Sequence, residues 1–184
     1  VDIQMAVIKD EEHVMQILEH LDHAMWKRAR ECTPELEILK KTVTVPKLPF
    51  ARIPYDDVVN KIQQQHSPIE WGKDLSTEDE RLLGDIMKAE GMDFSLITKY
   101  PLESKPFYTM PDGEKYSRGF DLECKGVEIS SGSQRIHNVT LLIERLKACG
   151  LDPKDFDAYL KAFRYGMPQH GGFGCGIERF LMEL

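Results

Sequence analysis

Polar and apolar residues alternate over residues 2–8, Asp-Ile-Gln-Met-Ala-Val-Ile, which predicts a strand at the start of the chain. The period then lengthens. Asp10 stands where it can cap a helix, and Val14, Ile17, Leu18, Leu21 and Met25 recur at helical spacing. Pro46, Pro49 and Pro54 punctuate a connection, after which Val58, Val59 and Ile62 mark a shorter helix. Ser76-Thr77-Glu78-Asp79 has the form of a capping box and opens a helix that Gly91 can close. From Phe94 the pattern turns strand-like, with strands expected over 94–100, 106–110, 118–125 and 127–133. Pro111-Asp112-Gly113 and Lys125-Gly126 are turn signals between them. Asn138 can cap a helix running to Cys149, with Gly150 just beyond. Asp152-Pro153 starts another, carrying Phe156, Tyr159, Leu160 and Phe163 and ended by Gly166. Gly172, Gly174 and Gly176 alternate with larger residues in a last strand that would rejoin the sheet. The pattern implies an α+β fold, an antiparallel sheet flanked by helices segregated to one side, with a helical insertion at about 10–91.

The length of 184 residues fits one domain with a sizeable core, and 41% hydrophobic with 30% charged residues is ordinary for a globular protein. No apolar run approaches the roughly 20 residues that span a bilayer, and no signal segment opens the chain, so no membrane association and a cytoplasmic location are expected. Cys32, Cys124, Cys149 and Cys175 are scattered without a Cys-x-x-Cys pair, which argues against a zinc site or disulfide framework. The net charge of −7 gives no support to a non-specific nucleic-acid binder. The chain opens on Val1 in a strand-like pattern and closes on the apolar Phe180-Leu181-Met182-Glu183-Leu184. Both ends read as cuts in a longer protein.

Chemistry gathers in two segments. In the last one, glycines bare one face of a strand so that a flat ligand can lie on backbone, and Arg179 offers a permanently charged fork for phosphate or for stacking on a ring. The alternative is a Gly-rich turn before a terminal helix. In residues 120–137, Phe120, Leu122 and Cys124 can face a core while Asp121 and Glu123 face away. Glu128 lies just across the Gly126 turn, near enough to Asp121 in a tight hairpin for both to hold an oxygen-ligated cation such as magnesium shared with phosphate. A pair of solvated surface charges is the other reading. Strict alternation would set Glu128 opposite both Ser131 and Arg135, so their convergence requires a bulge, expected in Ser130–Ser133. Residues 10–91 show no catalytic cluster and read as structural.

Residues 120–135 together with 172–179 resemble the C-terminal half of class II aminoacyl-tRNA synthetase catalytic domains, the last segment matching the third motif, a glycine-rich strand ending Gly176-Ile177-Glu178-Arg179. Gly126-Val127-Glu128-Ile129-Ser130-Ser131-Gly132-Ser133-Gln134-Arg135-Ile136-His137, the stretch 100–110 and the stretch 161–168 are similar to aspartyl-tRNA synthetases of the archaeal and eukaryotic type. Val1-Asp2-Ile3-Gln4-Met5-Ala6 resembles the tail of the second motif, so the resemblance covers essentially the whole chain. It implies an ATP site of Glu128, Gly172, Gly174, Gly176, Ile177, Glu178 and Arg179, with Mg2+ on Glu128, Ser131 and Asp121. It implies an aspartate site of Ser131 and Arg135, and makes Arg179, Glu128 and Arg135 the catalytic set. His170 and Gln134 are expected near the site without assigned chemistry, and His137 as structural.

The implied partners are ATP, L-aspartate and tRNA(Asp), with tRNA(Asn) as a further candidate, in a homodimer formed through a first motif outside this chain. The anticodon-binding domain, the second-motif arginine and a lysine-bearing recognition loop are likewise expected outside it, so the isolated piece is expected to be inactive. Other readings are an asparaginyl-tRNA synthetase, a synthetase-related enzyme making free asparagine, and a non-catalytic regulatory or assembly protein. Val127-Glu128-Ile129-Ser130-Ser131-Gly132-Ser133 favours aspartate over the Gly-Glu-Ile-Ile-Gly-Gly-Ser of asparaginyl enzymes, and intact Glu128, Ser131, Arg135 and Arg179 favour catalysis.

Overall fold

The computed structural model describes residues 1–65 and 69–184. Strand β1 (Asp2–Ala6) is followed by helices α1 (Glu11–Arg30) and α2 (Thr33–Leu39), strand β2 (Ala51–Pro54), and helices α3 (Tyr55–Gln64) and α4 (Thr77–Ala89). Strands β3 (Phe94–Thr98), β4 (Pro111–Asp112), β5 (Tyr116–Ser117), β6 (Gly119–Cys124) and β7 (Val127–Arg135) come next. Helix α5 (Val139–Ala148), a 3-10 turn (Pro153–Phe156), α6 (Asp157–Arg164), β8 (His170–Cys175) and α7 (Ile177–Glu183) complete the order. Local chemistry sets the helix starts. The Asp10 carboxylate accepts from the His13 N–H, Ser76 and Asp79 close a reciprocal capping box, and Asn138 Oδ1 accepts from the Leu141 N–H at 3.1 Å.

Six strands form one sheet in the order β1–β8–β7–β6–β3–β2, and β4 pairs with β5 in a separate hairpin. The sheet is mixed. β2 runs parallel to β3, and α3 and α4 supply the crossover that parallel strands require. The stretch 10–91 therefore carries a sheet strand as well as helices. Of the strand expected over 106–110 only a single antiparallel bridge, Thr109 to Arg135, forms, and the residues before it make a turn in which the Thr109 N–H donates to Pro106 O at 2.9 Å.

Helices cover both faces of the sheet, not one. In β3 both Leu96 and Ile97 are buried, and successive residues point to opposite faces. Leu96 joins Val14, Leu18, Trp26, Phe120, Leu122, Phe173 and Phe180 under α1 and α7. Ile97 joins Ile53, Val58, Ile62, Leu83 and Met87 under α3 and α4. A third cluster, Ile136, Leu142, Leu146, Leu160 and Phe163, holds α5 and α6. On α1 the buried stripe runs through Val14, Met15, Leu18, Asp22 and Trp26, which leaves Ile17 41% exposed. The helix is rotated toward Trp26, whose ring meets Phe180 edge-on at 5.1 Å.

Asp22 is 2% exposed and its Oδ2 has no hydrogen-bond partner among the described residues. Burial pushes its carboxyl up to about 7, the neighbouring Trp26 opposing in part. A carboxyl raised from 3.8 binds its proton more tightly in the folded state, so its contribution to stability falls as pH rises from about 4 to 7 and is flat above. Asp22→Asn is expected to match the parent near pH 4 and to exceed it at pH 8 by on the order of 2–4 kcal/mol in urea unfolding. Equal stability at both pH values would remove this account of Asp22.

Candidate active site

The register of β6, β7, β8 and β1 assembles one polar face. Cross-strand partners share a face, and Asp121 pairs with Ser131, Ser131 with Gly174, and Gly174 with Asp2. The neighbouring row is Gly119, Ser133, Gly172 and Gln4, and Arg135 pairs with His170 beyond it. Pairing shifts between Leu122–Ser130 and Glu123–Glu128, which leaves Ile129 as the extra residue of a β-bulge. This bulge turns Glu128 onto the face of Ser131 and Arg135. It lies at Ile129, ahead of the Ser130–Ser133 stretch, because Ile129 is drawn into the core under α1. Gln134 consequently faces away from the polar row, its Oε1 accepting from Arg118 at 3.0 Å.

One end of the face is a cluster of carboxyl groups. Asp121 is 2% exposed and the Glu128 side chain 30%, so the pair is not one of freely solvated surface charges, and Glu123 beside them is 4% exposed. α4 lies across them because two glycines permit close approach. A Cβ on Gly84 would stand 2.4 Å from Gly126 N, and Gly126 turns the hairpin at φ +86°. That docking brings in Glu80, which sequence reasoning left in a structural stretch. Glu123 is pushed up to about 9, by burial first and then by Glu80, Asp121 and Glu128. Glu128 rises to about 7, by burial and then Asp121, with Arg179 and Lys105 opposing. Lys105 Nζ sits 2.7 Å from Asp121 Oδ2, and Arg179 Nη1 lies 2.6 Å from Glu128 O and 3.3 Å from Glu128 Oε1.

Asp121 Oδ1 and Glu123 Oε2 are buried with no hydrogen-bond partner among the described residues. Among those residues no three His, Cys, Asp or Glu side chains are grouped to hold a metal unaided. Hard oxygen donors that repel one another and are short of cations fit magnesium when the remaining ligands come from phosphate and water. Asp121, Glu128 and the exposed Ser131 are the donors the face offers.

The other end is a cleft of ≈ 560 Å³. Arg135 enters it from the end of β7, with its guanidinium carbon 4.4 Å from the centre of the Tyr108 ring. Phe107, Tyr159, His170 and Gln4 complete the wall. Arg135 forms no ion pair among the described residues, so the cleft holds an uncommitted planar fork. Gln4 Nε2 donates to Asp2 Oδ1 at 2.9 Å and its side chain stands over Gly172. A Cβ on Gly174 would meet nothing within 4 Å, so the floor between the two ends is open. From Ser131 to Arg135 the strand spans roughly 13 Å.

Seven of the named positions thus share one trough: Asp121, Glu128, Ser131, Arg135, Gly172, Gly174 and Arg179. Gly176, Ile177 and Glu178 lie at the turn into α7, where the Gly176 N–H donates to Ile129 O, and Glu178 points to solvent with no bond to the trough. Lys105, Tyr108, Glu80 and Gln4 were not singled out from the sequence. The signal for Gln4 was present, since alternation in β1 puts Asp2 and Gln4 on one face.

A family model of class II tRNA synthetases (D, K and N) matches residues 1–184. The chain is 46% identical over 188 residues to an aspartate–tRNA(Asp) ligase of Pyrococcus furiosus, covering 100% of this chain and 43% of that protein. It is 43% identical over 185 residues to an aspartate–tRNA(Asp/Asn) ligase of Methanopyrus kandleri, covering 100% and 42%. Among solved structures, an aspartyl-tRNA synthetase of Entamoeba histolytica superposes with a TM-score of 0.90 at 32% identity, over 98% of this chain and 39% of that one. An asparaginyl-tRNA synthetase of Pyrococcus horikoshii gives 0.88, also at 32% identity, over 98% and 44%. The chain spans less than half the length of these relatives. With a family match over every residue and a fold that recurs in both solved relatives, the chain belongs to the class II tRNA synthetases of the D, K and N group.

Proposed function

We propose that this chain is the part of an aspartyl-tRNA synthetase catalytic domain running from the end of the second motif to the third. In the whole synthetase it activates L-aspartate with ATP to aspartyl-adenylate and passes the aspartyl group to tRNA. One observation carries the reading. The Ile129 bulge sets Glu128, Ser131 and Arg135 on a single face, so that an acidic, cation-seeking end and a free guanidinium flank an open glycine floor.

Arg135 would grip the side-chain carboxylate of aspartate bidentately. The α-carboxylate of the substrate is already an anionic nucleophile toward the α-phosphorus of ATP, so the step needs no protein general base and pyrophosphate leaves. The chain's part is positioning and charge compensation. Arg179 would swing from Glu128 to cover the adenine and reach the terminal phosphate, while Gly174 lets the ligand approach backbone and Gly172 makes room for Gln4 at the edge of the ATP site. Glu128, Asp121 and Ser131 would hold magnesium, which when bound offsets charge on the triphosphate. The first motif, the anticodon-binding domain and the homodimer contact belong to the rest of the protein in this reading, as does most of the tRNA surface.

The test is amino-acid-dependent ATP–pyrophosphate exchange by the whole synthetase, offered aspartate or asparagine, followed by charging of tRNA(Asp) and tRNA(Asn). Aspartate is expected to drive exchange at least about 100-fold better, since asparagine leaves the half-buried guanidinium without a charged partner. Preference for asparagine would overturn the assignment. The tRNA arm then separates an enzyme for one tRNA from one serving both.

A further inference from the structure

Lys105 leaves the loop between β3 and β4 and runs its stem across β6. A Cβ on Gly119 would stand 3.3 Å from Lys105 Cγ. Its ammonium ends 2.7 Å from Asp121 Oδ2, 3.6 Å from the centre of the Tyr100 ring and 3.7 Å from Asp74 Oδ1. The side chain is 9% exposed, and Tyr100 beneath it is 1% exposed. A surface lysine swings freely through water. This one is threaded along a fixed path with its charge delivered to one carboxylate.

The charges around it are out of balance. Glu80, Asp121, Glu123 and Glu128 all act on one another, and the cations that reach them are Lys105 and Arg179. Arg179 is 51% exposed and binds Glu128 from the solvent side. Lys105 takes Asp121 Oδ2 and leaves Oδ1 buried and, among the described residues, unpartnered. We propose that Lys105 is a positioning residue of this site: a built-in cation that orients Asp121 and holds the place of part of the metal charge while no metal nucleotide is bound. The proposal rests on the reading of the cluster as the magnesium end of an ATP site. It accounts for how buried carboxyl groups persist between turnovers, and for why one oxygen of Asp121 is left without a partner among the described residues.

The test compares the parent with Lys105→Met, Lys105→Arg and the double variant Lys105→Met/Asp121→Asn, by thermal unfolding with and without millimolar Mg2+ and no nucleotide. Lys105→Met keeps the apolar stem but loses the charge. Its Tm is expected to fall by about 5 °C or more without Mg2+ and to recover most of that loss with it, while the parent moves little. Lys105→Arg should keep parental Tm, and the double variant should regain it without metal because both charges are gone. A loss that Mg2+ does not recover and that persists in the double variant would show Lys105 to be packing alone and overturn the proposal, as would a Lys105→Met protein as stable as the parent. Stabilisation of the parent by Mg2+ with ATP is measured alongside. Its absence counts against the nucleotide reading, whereas its presence with no rescue of Lys105→Met counts against the lysine alone.

Discussion

Replacing Arg135 by leucine is expected to cut aspartate-dependent pyrophosphate exchange steeply. The guanidinium stacks at 4.4 Å on Tyr108 and carries no carboxylate partner among the described residues, so in the proposed reading its charge is there to meet the substrate carboxylate. Leucine retains contact with the aromatic wall and leaves the substrate carboxylate alone in an apolar cleft. Removing one partner of a buried charge pair costs about 2–5 kcal/mol, which is roughly 30- to several-thousand-fold in kcat/KM. The loss should fall on the requirement for aspartate and leave ATP binding and Tm near parental values, because Arg135 lies four residues along β7 from Ser131, away from the carboxyl cluster. Lysine at this position keeps charge but not the planar fork, and should recover a part of the activity. Exchange unchanged in the leucine variant would detach Arg135 from substrate recognition.

What sequence reading could and could not reach follows from the range of the forces involved. The alternation of Phe120, Leu122 and Cys124 against Asp121 and Glu123 is a property of one strand, and the structure has it. Whether the acidic side meets water or protein depends on α4, which is positioned by the contact between Gly84 and Gly126, 42 residues apart in sequence. No local pattern announces that burial. The need for a bulge was legible from the parity of 128, 131 and 135, but its place was set by the pull of the α1 core on Ile129. β2 escaped because four residues ending in proline carry no period of their own. Arg52 within it is held by Glu12 and Glu19 of α1, a pairing visible only once the chain is folded. Lys105 and Tyr108 belong to a turn, where neither helical nor strand spacing points a side chain anywhere.

Glu128→Gln is expected to separate the chemistry of the carboxyl cluster from its stability. The substitution is isosteric, and its Oε1 can still accept from Arg179, so the bulge and the third-motif turn should keep their shape. What goes is the negative charge that would attract magnesium. Adenylate formation should drop by at least about 1,000-fold, the scale seen when a preorganised electrostatic group is lost from an active site, and raising Mg2+ should not restore it. Stability should move the other way. The Glu128 carboxyl is pushed up to about 7 in the folded state, so ionising it weighs against the fold as pH rises from 4.5 through 7. The neutral amide escapes that, and the variant should unfold at a higher temperature than the parent at pH 8 and at a similar one at pH 4.5. A variant that is both inactive and less stable at pH 8 would mean that Glu128 supports the fold. One that keeps its magnesium-dependent activity would move the metal site elsewhere. A gain in Tm beside a loss of adenylate formation is the signature of a carboxylate retained for its ligand at a cost to the protein that holds it.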